Sequence, residues 1–175
     1  MIIARFIKRR LERAGVKLLS KWEFDLLEKR LAELTGSLAV EIKLSTGAVN
    51  PTQPYVTDAC WDLYAYSDVW LRPGESTEVP TGVYINIPVG YEGELKIRSS
   101  LGKLGLSLHH GAFDAGYQGE ISPFVQNWTN ARYEVKRGDR ICQFTLRKKV
   151  NICWQVVEKF TESRRKDKGH GSSGK

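Results

Sequence analysis

The chain has 175 residues, with 27 Lys and Arg against 20 Asp and Glu and 41% hydrophobic residues, enough for one domain with a substantial core plus an appendage. This composition is too apolar for intrinsic disorder, and no apolar run reaches the ~20 residues that cross a bilayer. The three cysteines, Cys60, Cys142 and Cys153, are widely spaced and form no CxxC pair, which excludes a disulfide framework and a zinc knuckle.

A reducing, cytoplasmic setting is expected, with the three thiols buried as small hydrophobes. Met1 to Lys17 interleaves apolar residues with charges and has no small-residue cleavage site, so no secretory signal is read there. The net charge of +7 sits at the ends: residues 1–36 hold nine basic and five acidic side chains, residues 158–175 six and three, and the stretch between them twelve of each. A domain that reads nucleic acid carries its basic stripe across the fold. Here a neutral body carries basic ends.

In chain order, Ile3, Ile7, Leu11, Ala14 and Leu18 recur at spacings of three and four and predict an amphipathic helix with Arg5, Lys8, Arg9 and Arg13 on its other face. Gly15 is a candidate break. A second helix opens on a capping box of Ser20 and Glu23, runs through Trp22, Leu26, Leu27, Leu31 and Leu34, and closes at Gly36. Residues 1–36 are thus read as a helical N-terminal extension and 37–57, with Pro51 and Pro54, as an extended connector. From 58 to 160 the period becomes two. Val83, Ile85 and Ile87, then Leu95 and Ile97, then Ile152, Trp154 and Val156 alternate with other residues as half-buried strands do. Turns are predicted at Pro73-Gly74, Thr81-Gly82, Val89-Gly90 and Gly138-Asp139, with no helical stretch long enough for a parallel crossover. An all-β barrel or sandwich follows. Residues 161–175 read as a glycine-rich arm without a hydrophobic anchor.

Five separated segments stand out: Ala59-Cys60-Trp61-Asp62-Leu63; Arg98-Ser99-Ser100-Leu101-Gly102; the run from Gly111 to Glu120, with Asp114 and Tyr117 three apart; Arg137-Gly138-Asp139-Arg140-Ile141-Cys142-Gln143; and the tail from Arg165 through His170, Gly171, Ser172 and Ser173. Each alone has an ordinary reading. Asp114 between glycines is a common turn former, Tyr117 a common core residue, and a Gly/Ser tail a common unstructured end. His109 and His110 fit no metal spacing.

As an ordered set, the five segments resemble the motifs of the trimeric dUTP pyrophosphatases over about two-thirds of the chain. The resemblance implies an antiparallel jelly-roll-like β-barrel, a homotrimer with active sites shared between subunits, and hydrolysis of dUTP to dUMP and pyrophosphate. In those terms Asp114 activates the attacking water and Tyr117 packs under the deoxyribose, leaving no room for a 2′-hydroxyl. Arg98, Ser99, Ser100 and Gln143 contact phosphates, and Gly111 counts among the substrate-binding positions. Asp62 helps organise Mg²⁺ through its waters, the ion being held by the triphosphate with no direct protein ligand. Arg165 grips the γ-phosphate, while His170, Gly171, Ser172 and Ser173 belong to the closing arm.

Cys60, Gly102 and Gly116 depart from the usual pattern without removing a reactive group; His170 stands where phenylalanine usually stacks on uracil. The related dCTP deaminases share part of the second and third motifs, but a deaminase, or a bifunctional deaminase-dUTPase, needs a glutamate near Phe124, and the arginine position of the deaminases is Lys103. A nucleotide-controlled binding protein that uses the N-terminal helices for an unknown partner is the other alternative. No membrane partner is expected.

Overall fold

The computed structural model describes residues 36–109 and 111–159, together with residues 20, 22, 23, 25–27, 30 and 34. The first predicted helix and the C-terminal arm from residue 160 onward, including Arg165, His170, Gly171, Ser172 and Ser173, lie outside the described residues. The capping box is present: the Glu23 carboxylate accepts the Ser20 amide and hydroxyl at 2.7 Å each, and the Ser20 hydroxyl accepts the Glu23 amide at 3.3 Å. The described positions from 22 to 34 are helical.

Eleven strands follow: β1 (Glu41–Leu44), β2 (Trp61–Tyr64), β3 (Val69–Leu71), β4 (Ser76–Glu78), β5 (Val83–Asn86), β6 (Tyr91–Ile97), β7 (Leu106–Leu108), β8 (Ala112–Phe113), β9 (Phe124–Asn127), β10 (Tyr133–Val135) and β11 (Arg140–Lys148), with one short helix, α1 (Ser99–Lys103), between β6 and β7. They form four antiparallel sheets, β1-β5, β3-β10, β2-β11-β6-β8 and β4-β9-β7. The pairings β2 with β11, β3 with β10 and β4 with β9 are nested. That is the pattern of one long double hairpin rolled over on itself, the expected jelly roll.

The alternating residues supply the core. Leu63, Leu71, Val83, Ile87, Ile121 and Ile141 are buried between the sheets, each worth about 1.5–3 kcal/mol relative to exposure. The predicted turns carry positive-φ glycines at Gly74, Gly82, Gly90 and Gly138. At Gly82 the requirement is double, because a Cβ there would also collide with the Ala48 side chain at 2.8 Å.

Three sequence expectations change. The stretch read as a connector contains β1, which pairs with β5 from Glu41↔Asn86 to Leu44↔Val83 and packs Val40, Ile42 and Leu44 on the core; the apolar alternation there is too short to stand out from its polar neighbours. The alternation of Ile152, Trp154 and Val156 yields no strand in the single chain. These side chains are exposed, Val156 at 98%, and among the described residues no strand pairs with this segment. Of the three thiols only Cys142 is buried; Cys60 is half-buried and Cys153 exposed. Cys142 alone lies on a core-facing strand position, paired with Leu63 and Ile97.

Candidate functional site

The four-stranded sheet builds the first cluster. Asp62 sits in β2 opposite Gln143 of β11 and is 2% exposed. Its Oδ1 accepts from the Arg98 Nε at 3.2 Å and the Gln143 Nε2 at 3.0 Å, and its Oδ2 accepts from the Arg140 Nη1 at 3.2 Å. A buried carboxylate is tolerable only when paired in this way.

The chain reaches this arrangement by two routes. Arg98 follows β6, in which Lys96 pairs with Gln143, so it lies on the Gln143 face by simple alternation. Arg140 is three positions from Gln143 and would face the other side of a regular strand. A bulge between Arg140 and Cys142 sets Arg140 opposite Tyr64 and turns it onto the Asp62 face. Ser99 and Ser100 open α1 immediately after Arg98, both exposed. The cluster borders a cleft of about 420 Å³ lined in part by Arg98, Ser100, Leu101, Tyr133 and Arg140. Two arginines and the Ser100 hydroxyl lining a cleft suit an anion.

Burial, and then the Asp62 charge, push the Cys142 thiol up. The unfolded thiol ionises near ~8.5 whereas the folded one stays protonated well above that, so the native state holds the extra proton. Stability from this source is therefore complete below about pH 8.5 and falls by about 1.4 kcal/mol per pH unit above it. Urea midpoints between pH 7.5 and 10 should show this slope in the wild-type chain and lose it in Cys142→Ala.

The second cluster is the hairpin from Gly111 to Glu120. Asp114 is exposed and opens a turn closed by the Tyr117 amide bonding the Asp114 carbonyl at 3.1 Å, with Gly116 at φ +85. A positive φ at the third turn position is the type II requirement, met by glycine. Tyr117 folds back so that its ring lies 5.6 Å from that of Phe113 and its hydroxyl donates to the Glu120 carbonyl at 3.1 Å. β8 meets β6 at Gly93↔Phe113, and Arg98 lies five positions further along the chain, about 16 Å at ~3.3 Å per residue. One chain therefore joins Asp62, Arg98 and Gln143, with Ser99 and Ser100 next to Arg98 in sequence, and holds Asp114 and Tyr117, beyond the Phe113 end of β8, apart from them; Gly111, at the Ala112 end, lies on the side nearer Arg98.

Two participants carried no role in the sequence reading although their motifs were singled out. Arg140 was hidden by the bulge, and the Glu120 carboxylate is engaged by backbone amides far away in sequence. Phe124, where a deaminase would need its glutamate, is a half-exposed phenyl ring at the start of β9. Among the described residues no group of three or more His, Cys, Asp or Glu could hold a metal ion, and both Asp62 oxygens are engaged by cations or an amide. Within one chain, Asp62 thus has no unengaged carboxylate oxygen to offer a metal. No helix among them is long and apolar enough to cross a membrane.

A family model described as dUTPase matches residues 47–174. The chain is 41% identical over 142 residues to the deoxyuridine 5'-triphosphate nucleotidohydrolase of Finegoldia magna, covering 77% of this chain and 99% of that one. It is also 41% identical over 148 residues to the protein of the same name from Wolbachia pipientis subsp. Culex pipiens, covering 79% and 97%. Among solved structures it is similar to the Staphylococcus bacteriophage 80alpha dUTPase with dUpNHpp, at a TM-score of 0.73 and 28% identity over 79% of this chain and 99% of that one. It is similar as well to a mutant dUTPase from phage phi11 of S. aureus, described with a structural Mg(II) ion, at a TM-score of 0.66 and 25% identity over 71% and 100%.

Proposed function

The chain belongs to the dUTPase family, and from that premise we propose that it acts as a dUTP nucleotidohydrolase, hydrolysing the magnesium complex of dUTP at a site shared between copies of the chain. The observation that carries this reading is the separation of the two clusters: one gathers arginines, an amide and hydroxyls suited to phosphate, the other holds a carboxylate and a ring. A homotrimer lets the hairpin of one copy face the phosphate cluster of the next. Exposed apolar side chains support such covering, among them Trp70, Phe124, Trp128 and Trp154.

In this reading Arg98, Ser99, Ser100 and Gln143 hold the triphosphate, with Arg140 beside them. Magnesium carried by the triphosphate offsets its charge. Asp114 takes a proton from the attacking water, the α–β anhydride breaks, and dUMP and pyrophosphate leave. Tyr117 packs under the deoxyribose, and Gly111 leaves the hairpin open beside it. From the arm, Arg165, His170, Gly171, Ser172 and Ser173 close donors and an imidazole over the substrate and exclude water. Asp62 acts by position: it aims Arg98 and Gln143. The setting is the cytoplasm, where the reaction keeps uracil out of DNA and supplies dUMP for thymidylate.

The test is one assay of purified protein with dUTP, dCTP, dTTP and UTP plus magnesium, following pyrophosphate and ammonia together. Pyrophosphate from dUTP alone is expected; ammonia from dCTP or silence on all four overturns the reading. Tyr117→Ala should raise kcat/KM for UTP relative to dUTP by about 10- to 100-fold, the loss of one sugar-reading contact. Unchanged discrimination would place sugar recognition elsewhere.

A further inference from the structure

We propose that Glu120 is the positioning residue of the reactive hairpin, tying it to the Thr81-Gly82 turn through its carboxylate and orienting the Tyr117 phenol through its carbonyl. The inference rests on the hydrolytic reading above and names a residue that touches no substrate.

One carboxylate oxygen, Oε1, accepts both the Thr81 and the Gly82 amide at 2.7 Å. These are charge-assisted bonds, roughly twice as strong as neutral ones. The turn that receives them is fixed. Thr81 is fully buried, and its hydroxyl donates to the Ile121 carbonyl at 2.6 Å and accepts the Val83 amide at 3.2 Å. Gly82 sits at φ +67 with the Ala48 side chain against it.

The backbone beside Glu120 is fastened as well, by a bridge to Tyr84 and by the Ile121 amide on the Val83 carbonyl at 2.7 Å. The other end of the hairpin is held by the two residues of β8. Between these ends the link to the body is the long Gly116 amide to Ile87 carbonyl bond, 3.4 Å. Asp114 and Tyr117 thus lie on a span whose geometry depends on its two footings, and Glu120 is the stronger one.

The carbonyl has a separate effect. With the Tyr117 hydroxyl on the Glu120 oxygen, the phenol lies across Gly119 so closely that a Cβ there would overlap it. The ring is held from one edge by this bond and from the other by Phe113. Loosening Glu120 therefore frees both the carboxylate that meets water and the ring that meets sugar. The cluster around Asp62 stands on β2, β11 and the end of β6, elements to which the Glu120 carboxylate makes no bond, and is left untouched.

Steady-state kinetics with dUTP and UTP on the intact chain test this. Glu120→Ala should lower kcat for dUTP about 10- to 100-fold, as misplacement of a reacting group by ~1 Å does, with KM changed less than ~3-fold. The preference for dUTP over UTP should fall about tenfold, whereas Glu120→Gln, which keeps an Oε1 acceptor, should stay within ~3-fold of wild type. Should the alanine variant fail to fold, Gly119→Ala, which displaces the phenol and keeps the carboxylate, should lose the preference on its own. Hydrogen exchange across residues 111–120 reads the anchor without substrate: faster exchange there in Glu120→Ala, with β9 and β11 unchanged, is expected even if dUTP proves not to be hydrolysed. Unaltered exchange in the hairpin, an unaltered sugar preference in both alanine variants, or a KM rise in step with the kcat loss overturns the proposal.

Discussion

Asp114→Asn is expected to lower turnover of dUTP by about 10²- to 10⁴-fold, the usual contribution of a positioned base, with affinity for dUTP largely kept. The amide is nearly isosteric and should preserve the turn in which the Tyr117 amide bonds the Asp114 carbonyl, but it cannot take a proton from water. Affinity should persist because the proposed phosphate-binding residues, Arg98, Ser99, Ser100 and Gln143, lie in the other cluster. Single-turnover hydrolysis together with equilibrium binding of a non-hydrolysable dUTP analogue separates the two quantities. A variant that turns over at the wild-type rate but binds weakly would mean that Asp114 contacts the nucleotide and that another group activates the water.

Asp62→Ala is expected to damage stability and substrate affinity together. It removes the common acceptor of the Arg98, Arg140 and Gln143 donors and leaves two guanidinium groups facing each other without an anion. Breaking a buried ion pair costs about 3–5 kcal/mol, and the lower end applies here because water reaches Arg140. Urea unfolding reads that loss. In kinetics KM for dUTP should rise more than ~10-fold while kcat changes less, since the arginine and amide proposed to meet the phosphates lose their aim. The magnesium concentration for half-maximal rate should not move. A raised magnesium requirement with stability intact would return Asp62 to the hydration shell of the metal, the role the resemblance alone implies.

What could be read from the amino acids, and what could not, divides along a physical line. Period-two alternation is local, so Val83, Ile85 and Ile87 announced a strand with a buried face, and turn glycines announced themselves through the backbone conformations only they adopt cheaply. The five segments were legible because their residue types stand in a fixed order, and three of the residues in them, Asp62, Arg98 and Gln143, meet in the fold. Relations between segments were not legible. Nothing in the residues near Arg140 signals the bulge that turns it toward Asp62, and nothing near Glu120 signals that its partners are the amides of Thr81 and Gly82. The apolar alternation at Ile152, Trp154 and Val156 misled for the same reason: a strand needs a neighbour, and alternation does not say whether the neighbour belongs to the same chain.

The nesting of β2 with β11 has a consequence for how the protein is made. Trp61 pairs with Phe144, so a ribosome that has finished β2 must add roughly 80 more residues before its partner exists, on the order of 4–16 seconds at ~5–20 residues per second. During that interval Asp62 stays in water, its two arginines either unmade or far away, and no desolvation cost falls due. The acid at the centre of the first cluster is therefore synthesised well before the partners that enclose it, Arg98, Arg140 and Gln143. Pairings of such sequence separation form slowly, and a nascent chain that stalls between β2 and β11 exposes an apolar edge with no strand to receive it, the interval in which aggregation competes with completion of the roll.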